Sequence, residues 1–203
     1  MRARLPNPRL SAWAAAAFLV LSLAPLPLLA GPLDEGLHAF QRHDYATALA
    51  RWRPLAEAGD ADAQYNLGLL YANGWGVPKS NREALAWYRK AAQQEQADAQ
   101  YNLGLMFAQA RGVFRSDRDA VMWWQRAANR GHAGAMFNLG VMYAYGMGVA
   151  RKPDRAVELW RQAASKGNGD AAKALARAYA RGEFGLPKDP NKSTQWRHRG
   201  ARQ

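Results

Sequence analysis

The chain contains no cysteine, so disulfide scaffolds, zinc ribbons, thiol catalysis, cysteine-ligated clusters and lipid attachment at a cysteine are all excluded. Histidine is scarce, with four in 203 residues. His38 and His43 are five apart, which splits them around a helix. Glu35 with His38 makes one E-x-x-H half, whereas a di-metal site in a bundle needs two such halves and further carboxylates. His132 reads as a turn residue and His198 as part of a basic tail, so no metal and no cofactor is expected. Nor does serine offer a nucleophile motif. Residues 31–203 hold neither S-x-x-K nor G-x-S-x-G, and Ser80, Ser116, Ser165 and Ser193 read as helix-end residues. Gly74-Trp75-Gly76-Val77-Pro78-Lys79-Ser80 fails the spacing of a phosphate loop and recurs as a turn. No catalytic residue is expected.

Acid is also in short supply, with 16 Asp+Glu against 28 Lys+Arg and a formal net charge of +12. Long apolar runs are absent except for one. From Ala12 to Leu29 there is no charge, and Arg2, Arg4 and Arg9 precede it. That is the pattern of a secretory signal, with Pro25 and Pro27 breaking the run near a cut after Ala30. Residues 1–30 are therefore expected to direct export to the periplasm or beyond. The alternative is an uncleaved inner-membrane anchor with the body facing the periplasm, the membrane being touched only by this segment. Without it the body keeps 25 basic and 16 acidic residues, or +9, which favours encounter with anionic surfaces.

What the chain has in plenty is repetition. Ala63-Gln64-Tyr65-Asn66-Leu67-Gly68 returns 36 residues on as Ala99-Gln100-Tyr101-Asn102-Leu103-Gly104. After another 36 it returns as Ala135-Met136-Phe137-Asn138-Leu139-Gly140, and a worn fourth copy is Ala171-Ala172-Lys173-Ala174-Leu175-Ala176. Each run leads to an aromatic (Tyr71, Phe107, Tyr143, Tyr179) and then to a glycine turn. The turns are Gly74–Val77, Arg111-Gly112-Val113 and Gly146–Val149, with Gly182–Lys188 carrying one extra residue. A second segment follows: Glu83–Ala92 matches Asp119–Ala128 and Arg155–Ala164, and more weakly Thr47–Ala56.

Both segments are helices by spacing, since Ala63, Leu67 and Tyr71 share one face, as do Ala84, Trp87 or Tyr88, and Ala91. Ser80 with Glu83 forms a capping-box signal, and Asp189-Pro190 an acidic cap with Pro in the first turn. Gly68, Gly104 and Gly140 sit mid-helix, where each costs about 1 kcal/mol against Ala, which points to close approach of a neighbouring helix. Two aromatic columns run at the repeat period: Trp52, Tyr88, Trp124, Trp160, and Trp87, Trp123, Leu159, Trp196. They read as core between repeats rather than as stacking platforms for nucleic acid, and no nucleic-acid partner is expected. One helix pair cannot bury its apolar face alone, but stacked pairs can.

These motifs resemble the Sel1-like repeat family, relatives of the tetratricopeptide repeats, through A-x-A-Q-x-x-L-G-x-x-Y, G-x-G-V and E-A-x-x-W-x-x-K-A-A in order. The resemblance covers about Gly59 to Arg199, and Leu33 to Ala58 more weakly. It implies an all-α fold, a right-handed α/α superhelical solenoid of helix pairs behind the signal segment. The expected division is a divergent pair in 31–62, then repeats at about 63–98, 99–134, 135–170 and 171–203, the last polar and capping. It also implies a scaffold or adaptor that binds a protein or extended peptide, with exported members acting at the envelope. Some cysteine-rich relatives are described as β-lactamases, but the cysteines of that subgroup are missing here.

In such a superhelix the first helices line the concave groove. That makes Asn66, Asn102 and Asn138 candidates to bond a partner's backbone, with Tyr65, Tyr101 and Phe137 beside them and Asn73 as a further candidate. The competing role for the Asn ladder is to tie its helix to a turn of the adjacent repeat. Two other functions stay open: a cell-wall hydrolase of β-lactamase type, and an anionic envelope polymer held by Arg197, His198, Arg199 and Arg202.

Overall fold

The structure is a computed structural model and describes residues 31–201. The expected signal segment and Arg202 lie outside those residues. Ten helices follow one another in pairs among the described residues. They are α1 (Pro32–Gln41), α2 (Tyr45–Glu57), α3 (Ala61–Asn73), α4 (Asn81–Gln93), α5 (Ala97–Ala108), α6 (Asp117–Asn129), α7 (Ala133–Tyr145), α8 (Pro153–Ser165), α9 (Gly169–Arg181) and α10 (Pro190–Ala201). Each packs on its chain neighbours, and α3 also reaches α5, so the odd helices form one layer and the even helices the other. The architecture is the right-handed α/α solenoid that the repeat implies.

The helix starts show how different residues meet one backbone need. Asp60, Gln96, His132 and Asn168 occupy the same repeat position and each accepts from the N–H three residues on, at 2.7 to 3.0 Å. Because His132 Nδ1 is the acceptor, its proton sits on Nε2, which faces the Asp98 carboxylate at 3.2 Å. His132 is thus a cap at the end of a turn. Ser80 and Ser116 cap α4 and α6 through Oγ. Only half of the expected capping box forms, because the Ser80 N–H goes to the Tyr71 carbonyl. Asp189 caps α10 as expected. Ser193 does not cap anything. It lies inside α10, 1% exposed, in the place that alanine holds in α4, α6 and α8.

The mid-helix glycines have a more specific reason than backbone approach. A methyl at Gly104 would overlap the Trp124 indole, and Gly36, Gly68 and Gly140 stand in the same relation to Trp52, Tyr88 and Trp160. In the first four pairs the column ring of the second helix packs against the first helix of its own pair. There Trp124 Nε1 donates to the Tyr101 carbonyl and Trp160 Nε1 to the Phe137 carbonyl, both at 3.2 Å. All four column rings are buried. In the neighbouring column, Lys90 covers Trp87 and Arg126 covers Trp123, each cation three residues further along its helix.

Candidate functional site: the face of the first helices

Three rows of side chains cross the exposed face of α3, α5, α7 and α9 at the 36-residue period. The first is Tyr65, Tyr101, Phe137 and Lys173, the second Leu69, Leu105, Val141 and Arg177, and the third Asn73, Gln109, Tyr145 and Arg181. In the first three repeats the first two rows are aromatic or aliphatic and half-buried. In the fourth repeat all three places are held by exposed cations.

The Asn ladder sits beside the first row and is half-buried throughout. Its members are not equivalent. The Asn102 amide faces the Tyr65 phenol and the Asn138 amide the Tyr101 phenol, each from the next repeat, and each favours the ionised phenol. Burial, with the Asp98 charge adding to it, pushes the Tyr65 phenol up to about 12 against the pull of Asn102. Burial raises Tyr101 as well. Both phenols therefore stay protonated at neutral pH. The pairing ends where the sequence ends it: Phe137 has no hydroxyl, and the next place along the ladder is Ala174. Asn66 is the ladder member with no side-chain hydrogen bond among the described residues. Asn73 is exposed and donates to the Leu69 carbonyl of its own helix at 2.9 Å.

The polymer cluster does not converge. Arg197, His198 and Arg199 are consecutive on α10, so they point about 100° apart in turn. Arg199 lies over the Trp196 ring, whereas Arg197 bonds the Ser193 hydroxyl at 3.3 Å and lines a cavity against α9. Arg202 lies outside the described residues.

Sequence reasoning passed over two features. One is the cationic column Lys173, Arg177, Arg181 on α9, visible only when the fourth repeat is read place by place against the other three. The other is Phe114, 96% exposed in the turn before α6, where the other turns carry Pro78 and Ala150. Among the described residues no helix is long and apolar enough to cross a membrane, and no cluster of three or more metal-ligating side chains occurs.

A solenoid of helix pairs with an open side-chain face defines a repeat scaffold, and comparison with known proteins narrows the class. The family model described as Sel1 repeat matches residues 61–95, 97–132, 133–168 and 169–203. The chain belongs to the Sel1-repeat family, whose members are typically protein–protein interaction scaffolds. A Sel1 repeat protein from Oxalobacter formigenes is 30% identical, with TM-score 0.79, over 84% of this chain and 69% of that one. A protective antigen of uropathogenic Escherichia coli with an SLR fold is 35% identical, with TM-score 0.78, over 84% of this chain. This chain spans 37% of that protein's length. An immunity protein from Pseudomonas aeruginosa shares the fold at 23% identity and TM-score 0.54, over 80% of this chain and 65% of that one. No curated protein matches the chain.

Proposed function

We propose that the protein is an exported adaptor that holds an extended segment of an envelope protein across the face of its first helices. The observation that carries this reading is the pair of half-buried apolar rows, Tyr65–Leu69, Tyr101–Leu105 and Phe137–Val141, continuous over three repeats. A partner's side chains would add to burial there, at about 25 cal/mol per Å² of apolar surface removed from water. Asn66 supplies a free amide that can both donate to and accept from a peptide bond. Asn102 and Asn138 keep unused capacity beyond their ties to tyrosine. The charge sequence of residues 1–30 supports export, and the +9 body would speed encounter with an acidic partner.

The test is capture from envelope extract by the intact protein and by a variant with Asn66, Asn102 and Asn138 all changed to Ala, read by mass spectrometry. Asn66→Ala alone is the cleaner probe, because it breaks no tie between repeats. A partner that loses about fivefold in affinity with Asn66→Ala, at unchanged helicity, supports the groove. Unchanged affinity of the triple variant would remove the Asn ladder from the site. Hydrolysis of a β-lactam by the purified protein would replace the adaptor reading with an enzymatic one.

A further inference from the structure

The groove is electrically polarised along its length. At one end Asp34, Asp62 and Asp98 stand around a cavity of about 290 Å³ with Leu33, Leu37 and Tyr65. At the other end Lys173, Arg177, Arg181 and Arg197 surround a cavity of about 720 Å³ with Phe137, Ala176 and Ala180 on its apolar side. A smaller cavity of about 230 Å³ shares Phe137, Arg177 and Arg181 and joins the apolar rows of α7 to the cations of α9. Two acids stand among the cations: Asp170 pairs with Lys173 at 3.2 Å and Glu183 with Arg181 at 3.6 Å. Arg197 is held by Ser193. Arg177 has no ion pair or side-chain hydrogen bond among the described residues.

The cavity over α9 has a cause in the sequence. The last turn is one residue longer than the others, so α10 aligns with α8 at a spacing of 37. Ser193 then holds the place of Ala156, and Arg197 the place of the buried Trp160. An indole there would have filled the space beside Ala176. A guanidinium leaves it open and charges its wall.

We infer that the groove receives a peptide segment of a partner protein that is apolar in its middle and bears carboxylates at the end lying over α9. The inference rests on the adaptor reading and names the partner's chemistry. Charge complementarity favours that placement. Carboxylates at the α1–α5 end would face three aspartates, of which Asp98 alone has a basic partner in His132. Over α9 they meet four cations against the two acids Asp170 and Glu183. A second copy of this chain is a poor occupant, because its body carries +9. First helices spaced about 8–10 Å apart put the two ends about 30 Å from each other. An extended segment of about nine residues spans that distance.

The experiment uses the intact protein and fluorescence anisotropy with two labelled nine-residue peptides. One is Ser-Gly-Leu-Ala-Phe-Ala-Leu-Asp-Glu with a free carboxyl end, and the other is its Asn-Gln counterpart with an amidated end. The acidic peptide is expected to bind about tenfold tighter. That preference should vanish in Arg177→Glu/Arg181→Glu, and a Lys-Arg-ended peptide should then bind the variant better than the native protein. Both side chains are exposed, so circular dichroism should show an intact fold. Equal binding of the two peptides would overturn the acidic preference while leaving the groove in place. Binding of neither would overturn the groove reading itself. Competition by a heparin fragment without acidic-peptide binding, or a dimer in sedimentation that the peptide fails to dissociate, would overturn the inference in favour of a polyanion or a second copy.

Discussion

Ala110 and Glu95 carry left-handed backbone, at φ 54° and 66°, at two places that glycine holds in the other full repeats. A Cβ there costs about 1–2 kcal/mol, part of which glycine would return through unfolded-state entropy. Ala110→Gly is therefore expected to stabilise the protein by about 1 kcal/mol, and urea unfolding would measure it. Glu95→Gly should gain less, because it also removes the ion pair with Arg130. Gln64 and Gln100 are both buried and each donates to the end of the preceding helix. Gln64 Oε1 also accepts from Gln94, while Gln100 Oε1 has no partner. Gln64→Met should thus cost about 1 kcal/mol more than Gln100→Met, the residue the third repeat carries as Met136. Burial raises the phenols of Tyr65, Tyr88 and Tyr101. A raised folded-state pKa means that the unfolded chain loses its proton first. Stability should therefore hold below pH 10 and fall as pH rises towards 12 and beyond. Tyr88→Phe should flatten that fall in thermal melts taken from pH 8 upward.

The helix pair is the unit in which ring and glycine are matched. Gly104→Ala would gain about 1 kcal/mol in helix propensity but force the Trp124 indole out of its seat, for a net loss of about 1–2 kcal/mol. Calorimetry of the variant would read it. The fourth repeat carries Ala176 at the equivalent place because Arg197, not a ring, lies opposite. At this scale the sequence was highly legible. Turn glycines, caps and aromatic columns each recur three or four times, and recurrence at one period exposes a packing rule. Features that occur once, or that join different repeats, were hidden. The pairings of Tyr65 with Asn102 and Tyr101 with Asn138 cross from one repeat to the next, so reading down a single copy does not reveal them. The cations of α9 looked like the wear of a terminal repeat until the rows gave them a position. Ser193 was misread because a hydroxyl near a helix start suggests a cap, while a one-residue insertion had moved it into an alanine seat.

At the scale of the molecule, stability is close to a sum of helix pairs and their interfaces. The last pair carries the end of the core, where Ala172, Leu175 and Tyr179 of α9 are buried. Removal of residues 190–203 should bare that surface and convert a monodisperse protein into aggregates, which light scattering would detect. By contrast, charge reversal at Arg177 and Arg181 should leave the unfolding free energy from urea titration within about 0.5 kcal/mol of its native value. The residues that face the column of rings carry stability, and those proposed for recognition face outward.

The extra residue of the last turn also bears on how such a chain grows. Phe184 takes φ 56° and sets its ring against Trp160 at 5.2 Å, closing the column of rings from outside. A further unit appended after α10 would find a guanidinium where its neighbours offer an indole. A unit duplicated before residue 182 would find the usual seat on both sides. A repeat duplicated there would move the two charged ends apart by one helix spacing. At about 10 Å per copy and about 3.3 Å per residue of extended chain, the copy number acts as a ruler. On the proposed reading, each added repeat would hold a ligand segment about three residues longer.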